Sequence, residues 1–236
     1  MGSFFCGLDL GQSADYTACI IVERHETPRE RPAPAWTFAP VAGTTSPLFG
    51  SYEPSQRVLD TAGTLRDVPR TNAAATRYDV RHIERYPLGT SYPAIVDHVH
   101  ALLQRAPLRG NVECVVDASG VGRAVIDLFQ RRMRVRPVTI TSGATVSQSD
   151  DGYYRVPKID LVSCVQTLLQ QGRLKFAASL PNVDLLTAEM QNYQVKLTAS
   201  AHETFNARSG QHDDLVLALA LACWYADQHG GIGIFF

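Results

Sequence analysis

The sequence predicts an α/β fold, a mixed β-sheet with helices on both faces. Two observations carry that expectation. Short β-branched apolar runs alternate with stretches whose apolar residues recur at helical spacing. The order β-β-β-α-β-α-β, followed by additions and a closing apolar helix, contains no internal repeat and describes a sheet covered by helices.

Bulk composition fits this class. The chain has 236 residues, of which 45% are hydrophobic and 19% charged, enough apolar material for a sizeable core. We expect one domain over residues 1–236 with a Pro-rich irregular insertion at about 27–72, a stretch holding seven of the thirteen prolines. No apolar run approaches the roughly 20 residues of a membrane span, and the opening Met1-Gly2-Ser3-Phe4-Phe5 lacks a basic signal-peptide start. Five scattered cysteines without a CxxC pair argue for buried reduced thiols over a disulfide framework or zinc site. A net charge of −1 gives no global electrostatic case for nucleic acid, so DNA would have to be held by local basic patches and bound metal.

Each element has its own reason. Residues 4–10 and 17–23 are apolar and β-branched, and Gly11 to Tyr16 between them is turn-forming, which gives a hairpin. Residues 77–86 alternate imperfectly and read as a third strand. Ser91 caps a helix running to residue 104, with Ile95, Val99, Leu102 and Leu103 on one face. Residues 112–116 form a strand ending in Asp117, and Gly120-Val121-Gly122 turns into a helix over 124–132. A strand follows at 135–141, then a hairpin over 146–156 around Asp150-Asp151-Gly152. Helices are predicted over 158–170, 183–193 and 213–225, with short strands at 174–176 and 195–198.

Three acidic positions stand out by placement. Asp9 follows one strand, Asp117 ends another, and Asp213-Asp214 opens the apolar closing helix. An aspartate at a strand end projects into the crevice where α/β ligands bind. Strands one and four are neighbours in this connectivity, so Asp9 and Asp117 lie side by side and the helix start adds a third carboxylate. Carboxylates this close repel, and hard divalent cations, Mg²⁺ or Mn²⁺, relieve them; two such ions about 4 Å apart can clamp the attacking and leaving oxygens of a phosphodiester. Singly, each position has an ordinary structural use: Asp9 in turn bonding, Asp117 in a turn with Ser119, Asp213 as a helix N-cap, and Asp214 against the helix dipole. The ordered set favours the site.

Four segments in this order resemble the C-terminal nuclease domain of tailed-phage large terminase subunits: GLDLGQSADYTA at 7–18, VVDASGVGRAVIDLF at 115–129, VPKIDLVSCVQTLLQQGRLKF at 156–176 and HDDLVLALALACW at 212–224. The resemblance implies an RNase H-like fold of the resolvase and integrase type. It implies a catalytic, metal-binding triad of Asp9, Asp117 and Asp214, with Asp213 as an additional or alternative ligand and Asp15, Lys158 and His212 as accessory residues. Asp9 then bridges two ions, while Asp117 and Asp214 hold one each. It further implies endonucleolytic cutting of double-stranded DNA in the infected host's cytoplasm, with a packaging ATPase, small terminase and portal as partners.

One departure is plain: the G-x-x-x-x-G-K-[ST] pattern of that ATPase is absent. The chain therefore reads as an excised nuclease domain or a free-standing relative. Among the basic residues, Arg123 opens a helix beside Asp117 and is the leading phosphate contact, joined by Arg131 and Arg132. Backbone contacts of this kind imply little sequence preference and strong salt dependence. Resolvase-like or transposase-like nucleases and a non-cleaving DNA-binding module share the fold and remain as alternatives. A sugar-kinase or actin-like ATPase lacks its second phosphate loop here, and a calcium module would need its ligands in one 12-residue loop.

Overall fold

The computed structural model describes residues 2–11, 15–27, 55–59, 65–69, 75–120, 122–197, 203–207 and 212–229. The chain divides into two compact units, residues 1–25 with 76–236, and Glu26–Ala75. Within the second unit, where the sequence suggested irregular chain, β3 (Ser55–Leu59) pairs antiparallel with β4 (Leu65–Pro69). The rest of the predicted insertion lies outside the described residues.

The first unit is built on an eight-stranded mixed sheet. Its strands are β1 (Ser3–Asp9), β2 (Ala18–Thr27), β5 (Ala75–Arg85), β6 (Val112–Asp117), β7 (Val135–Thr141), β8 (Ser147–Gln148), β9 (Tyr154–Pro157) and β10 (Leu174–Phe176), in the order β10-β5-β2-β1-β6-β7-β9-β8. β1 pairs antiparallel with β2, while β1, β6, β7 and β9 run parallel. The first and fourth sequence-predicted strands, β1 and β6, are thus neighbours, as expected. The expected hairpin after β7 is the β8–β9 pair, with Gln148 opposite Tyr154. A separate strand pair joins β11 (Tyr193–Leu197) and β12 (Glu203–Ala207); the second arm had no clear periodic signal.

Helices cover both faces. α1 (Tyr92–Leu103) and α2 (Gly122–Gln130) pack on one face against Phe4, Cys6, Leu8 and Val116. Ser91 caps α1 through its side chain, accepting from the Ala94 amide at 3.4 Å. α3 (Lys158–Gln170), α4 (Val183–Asn192) and α5 (Asp214–His229) pack on the other, against Phe5, Ile20, Val80 and Val115. α5 is buried without interruption from Asp214 to Ala226, as a helix apolar on all sides requires. Cys6, Cys19, Cys114 and Cys223 are buried free thiols, and Cys164 is half-buried and free. Among the described residues, no helix is long and apolar enough to cross a membrane.

Strand periodicity decides what the site receives. Successive side chains point to opposite faces, so Asp9 shares the face of Phe5 and Gly7, and Asp117 shares that of Val115. Both aspartates therefore face the α5 side. At Gly7 the helix comes unusually close: a Cβ there would meet the Ala218 carbonyl oxygen at 1.9 Å and the Ala222 amide nitrogen at 2.8 Å. Only glycine permits that approach. Gly7 beneath Ala218 and Ala222 lets α5 lie on β1, which brings the first residue of the helix over the sheet edge where Asp9 ends its strand.

Candidate metal centre

Four carboxylates meet electrostatically at this edge. Asp9 is held well above the usual carboxylate range, first by loss of water around it, then by the negative charges of Asp117, Asp214 and Asp213, and by a side-chain hydrogen bond with Asp117. Asp117 is also raised by desolvation, against which Ser119 pulls in the other direction. Its Oδ1 accepts from the Ser119 amide at 2.8 Å and the Ser119 hydroxyl at 2.5 Å, while the Ile140 amide donates to that hydroxyl at 2.7 Å. The local turn use of Asp117 is therefore real, and it fixes one oxygen of the carboxylate.

Asp214 is 4% exposed and is raised by desolvation, with Arg85 opposing. Its Oδ2 lies 2.8 Å from Nη2 of Arg85, yet no described group gives it an aligned hydrogen bond. Asp213 takes the capping position: its carbonyl accepts from the Leu217 amide at 2.9 Å, and its side chain pairs with Lys158 Nζ at 3.0 Å. Lys158 sits at the first residue of α3 and its charge lowers Asp117. His212 stacks edge-on against Tyr16 at 4.8 Å between centroids, and its charge acts on Asp214.

These side chains fit a divalent cation. The donors are hard oxygens, their mutual repulsion is only partly offset by Arg85 and Lys158, and a buried carboxylate oxygen lacks an aligned partner. Asp9, Asp117 and Asp214 would hold it, with Asp213 beside them. Among the described residues, no three acidic, histidine or cysteine side chains are already drawn together tightly enough to enclose an ion.

Other predicted residues lie further from this cluster. Asp15 is exposed and lines a separate cavity of about 330 Å³ with Gly11, Thr17 and Ser91. Arg123 opens α2 as expected, but its guanidinium is paired with Asp151 of the β8–β9 turn and lies 5.0 Å over the Tyr153 ring. Arg131 and Arg132 follow the far end of α2, about 12 Å along the helix axis from Arg123. Arg131 is exposed, and Arg132 pairs with Asp97 of α1 at 3.2 Å.

Two residues of the site were not anticipated. Arg85, which the sequence did not single out, is 13% exposed and bridges Asp214 and Glu189. Burial along β5 changes phase: Tyr78 and Val80 face the α5 side, and so does Ile83, an odd step later, so Arg85 follows it onto that face. Glu189 is 7% exposed and accepts the amides of Leu215 and Val216 at 3.0 and 3.3 Å. It lies on the apolar face of α4 with Leu186, Met190 and Tyr193, a polar intrusion at helical spacing that the sequence did offer as a signal.

Residues 90–225 match the family described as Terminase RNaseH-like domain. The chain belongs to that family. The large terminase subunit of Thermus phage G20c is 27% identical over 125 residues, 52% of this chain and 22% of that protein. The large subunit of Thermus virus P23-45 matches to the same extent, so the chain spans about a fifth of the length of these curated relatives. In three dimensions it is similar to the large terminase nuclease from phage G20c, with a TM-score of 0.55 and 19% identity over 95% of this chain and 82% of that one. The same nuclease with bound magnesium gives a TM-score of 0.53 and 19% identity over 94% and 80%. The terminase fold is thus the RNase H-like mixed sheet with helices on both faces. The family match includes Asp117, Lys158, His212, Asp213 and Asp214, and Asp9 stands beside it on β1.

Proposed function

We propose that this terminase-family domain is a metal-dependent endonuclease that cuts double-stranded DNA with little sequence preference during viral genome packaging. The observation that carries the reading is the placement of Asp9, Asp117, Asp213 and Asp214 at one sheet edge, with Asp9 raised by burial and then by its neighbours' charge. A related nuclease from phage G20c has been solved with magnesium, which supports Mg²⁺ or Mn²⁺ as the ion. Two such ions would activate water and stabilise the leaving 3′-oxygen. Asp9, Asp117 and Asp214 would hold the ions, with Asp9 the candidate shared by both.

The protein groups have distinct tasks. Ser119 fixes one oxygen of Asp117 and so limits how that carboxylate can turn. Lys158 steadies Asp213 and supplies positive charge where a phosphate approaches. Arg123, released from Asp151, contacts the DNA backbone, and Asp15, His212, Arg131 and Arg132 serve as accessory or outlying contacts. Residues 1–236 act as a single nuclease domain with 27–72 as an insertion. Its partners are a packaging ATPase domain or subunit, a small terminase and a portal, in the host cytoplasm.

The test is plasmid nicking with and without Mg²⁺ or Mn²⁺, comparing the native chain with Asp9→Asn. Metal-dependent cutting that disappears in the variant supports the assignment. Cutting that survives Asp9→Asn removes it.

A further inference from the structure

Glu189 and Arg85 make a buried chain of charge that ends on Asp214. Asn182, at the start of α4, donates from Nδ2 to the Ile83 carbonyl at 3.1 Å and ties α4 to β5 just before Arg85. Glu189 then uses both oxygens, one toward Arg85 and the other toward the Leu215 and Val216 amides. Those amides are among the unsatisfied donors of a helix start, which attract negative charge. Arg85 lies between the two carboxylates with its guanidinium 4.7 Å over the Tyr16 ring. Its contact with Asp214 is close but not aligned as a hydrogen bond, and its own Nε has no partner among the described residues. Arg85 thus hydrogen-bonds Glu189 and ion-pairs with Asp214.

That asymmetry has a function. We propose that Arg85 is a resident counter-cation of the metal centre, neutralising Asp214 until a divalent ion takes that carboxylate over, with Glu189 retaining Arg85 once it is displaced. The inference rests on the reading of Asp214 as a metal ligand. Both are positioning residues, since neither reaches a reacting atom. A buried carboxylate with no cation nearby is costly; Arg85 offsets that penalty before an ion arrives, and its 2.8 Å contact, not aligned as a hydrogen bond, can be exchanged for the ion. Arg85 and the incoming ion are competitors, and Glu189 sets how strongly Arg85 competes.

Competition gives the two residues opposite effects on metal affinity. In Arg85→Met the competing charge is gone, so Mn²⁺ should bind about tenfold more tightly, the order expected for removing a unit charge beside a partly screened cation site. In Glu189→Gln an acceptor for an α5 amide remains but Arg85 loses its charged anchor. Arg85 then turns fully to Asp214, and Mn²⁺ should bind about tenfold more weakly by the same reasoning. A merely structural role would weaken binding in both variants.

The experiment is calorimetric titration of Mn²⁺ into the full chain without DNA, for the native protein, Arg85→Met, Glu189→Gln and Asp214→Asn. Opposite shifts in the first two variants support the inference. Unchanged or weaker binding in Arg85→Met, or unchanged or tighter binding in Glu189→Gln, overturns it. If Arg85→Met does not fold, Arg85→Gln, which removes the charge but keeps a donor toward Glu189, takes its place with the same tighter binding expected. Native affinity retained in Asp214→Asn overturns the metal-centre reading itself, an outcome distinct from failure of the charge competition.

Discussion

Replacing Gly7 by alanine tests how the site is built, because it adds one methyl group at a place that touches no acidic residue. The new Cβ would lie 1.9 Å from the Ala218 carbonyl oxygen and 2.8 Å from the Ala222 amide nitrogen. Ordinary carbon–oxygen contacts begin near 3.3 Å, so α5 must lift by about 1.4 Å. Both obstacles are backbone, and no rotamer change relieves them. Overpacking of this kind costs about 1–3 kcal/mol, and the rigid neighbours place Gly7→Ala near the upper end. The displaced helix carries Asp214 away from Asp9 and Asp117, and a misplacement of about 1 Å can lower a rate about 100-fold. Urea denaturation measures the first effect, and plasmid nicking with Mn²⁺ measures the second. A Gly7→Ala protein within about 0.5 kcal/mol of native stability, with native nicking, would refute the account of why Asp214 stands where it does.

Asp9→Asn should abolish cutting and raise the melting temperature of the metal-free protein at neutral pH. Because the folded-state value of Asp9 is raised, stability is greatest below the ordinary carboxylate range and declines as pH rises through the raised value. Melting curves at pH 5 and pH 8 should show the native protein losing more than the variant, and a variant that melts lower at pH 8 contradicts this. Mn²⁺ affinity should increase with pH over the same window, since binding displaces a proton from the Asp9–Asp117 pair; titration in buffers of different ionisation enthalpy detects the released proton. Arg123→Ala should weaken DNA binding across sequences and lower the slope of log K against log salt by about 1, and an unchanged slope removes Arg123 from the interface. Ser91→Ala should cost about 1 kcal/mol through loss of the α1 cap while leaving nicking intact.

The sheet and its helices were legible because their signals are local. Apolar runs with turn residues between them marked β1, β2, β6 and β7, and the spacing of Ile95, Val99 and Leu102 marked α1. Asp9, Asp117 and the Asp213-Asp214 pair were visible as acids at element ends, and the fold brings them within electrostatic reach. Arg85 was hidden by a phase change in β5: strict alternation through Val80 puts an odd-numbered residue on the opposite face, and the one local sign of the shift, Ile83 out of step, reads only as imperfect alternation. Glu189 was readable in principle, as a charge on an apolar helix face, but its partners lie on β5 and α5, far away in sequence. The ion pair of Arg123 with Asp151 was likewise beyond a linear reading, since it depends on where the β8–β9 turn lands.

α5 has a consequence for folding as well as for chemistry. Every residue from Asp214 to Ala226 is buried, so this helix gains little from forming in water by itself and becomes stable only against the finished sheet. Its principal neighbour is β1, at the other end of the chain, which makes the docking a late, long-range event. A partly folded chain has Asp9 and Asp117 side by side but lacks Asp214, and so cannot assemble the full set of acids. Local undocking of α5 would likewise disarm the protein before the sheet itself opened. On the proposed reading, a capacity to cut would thereby be tied to completion of the fold.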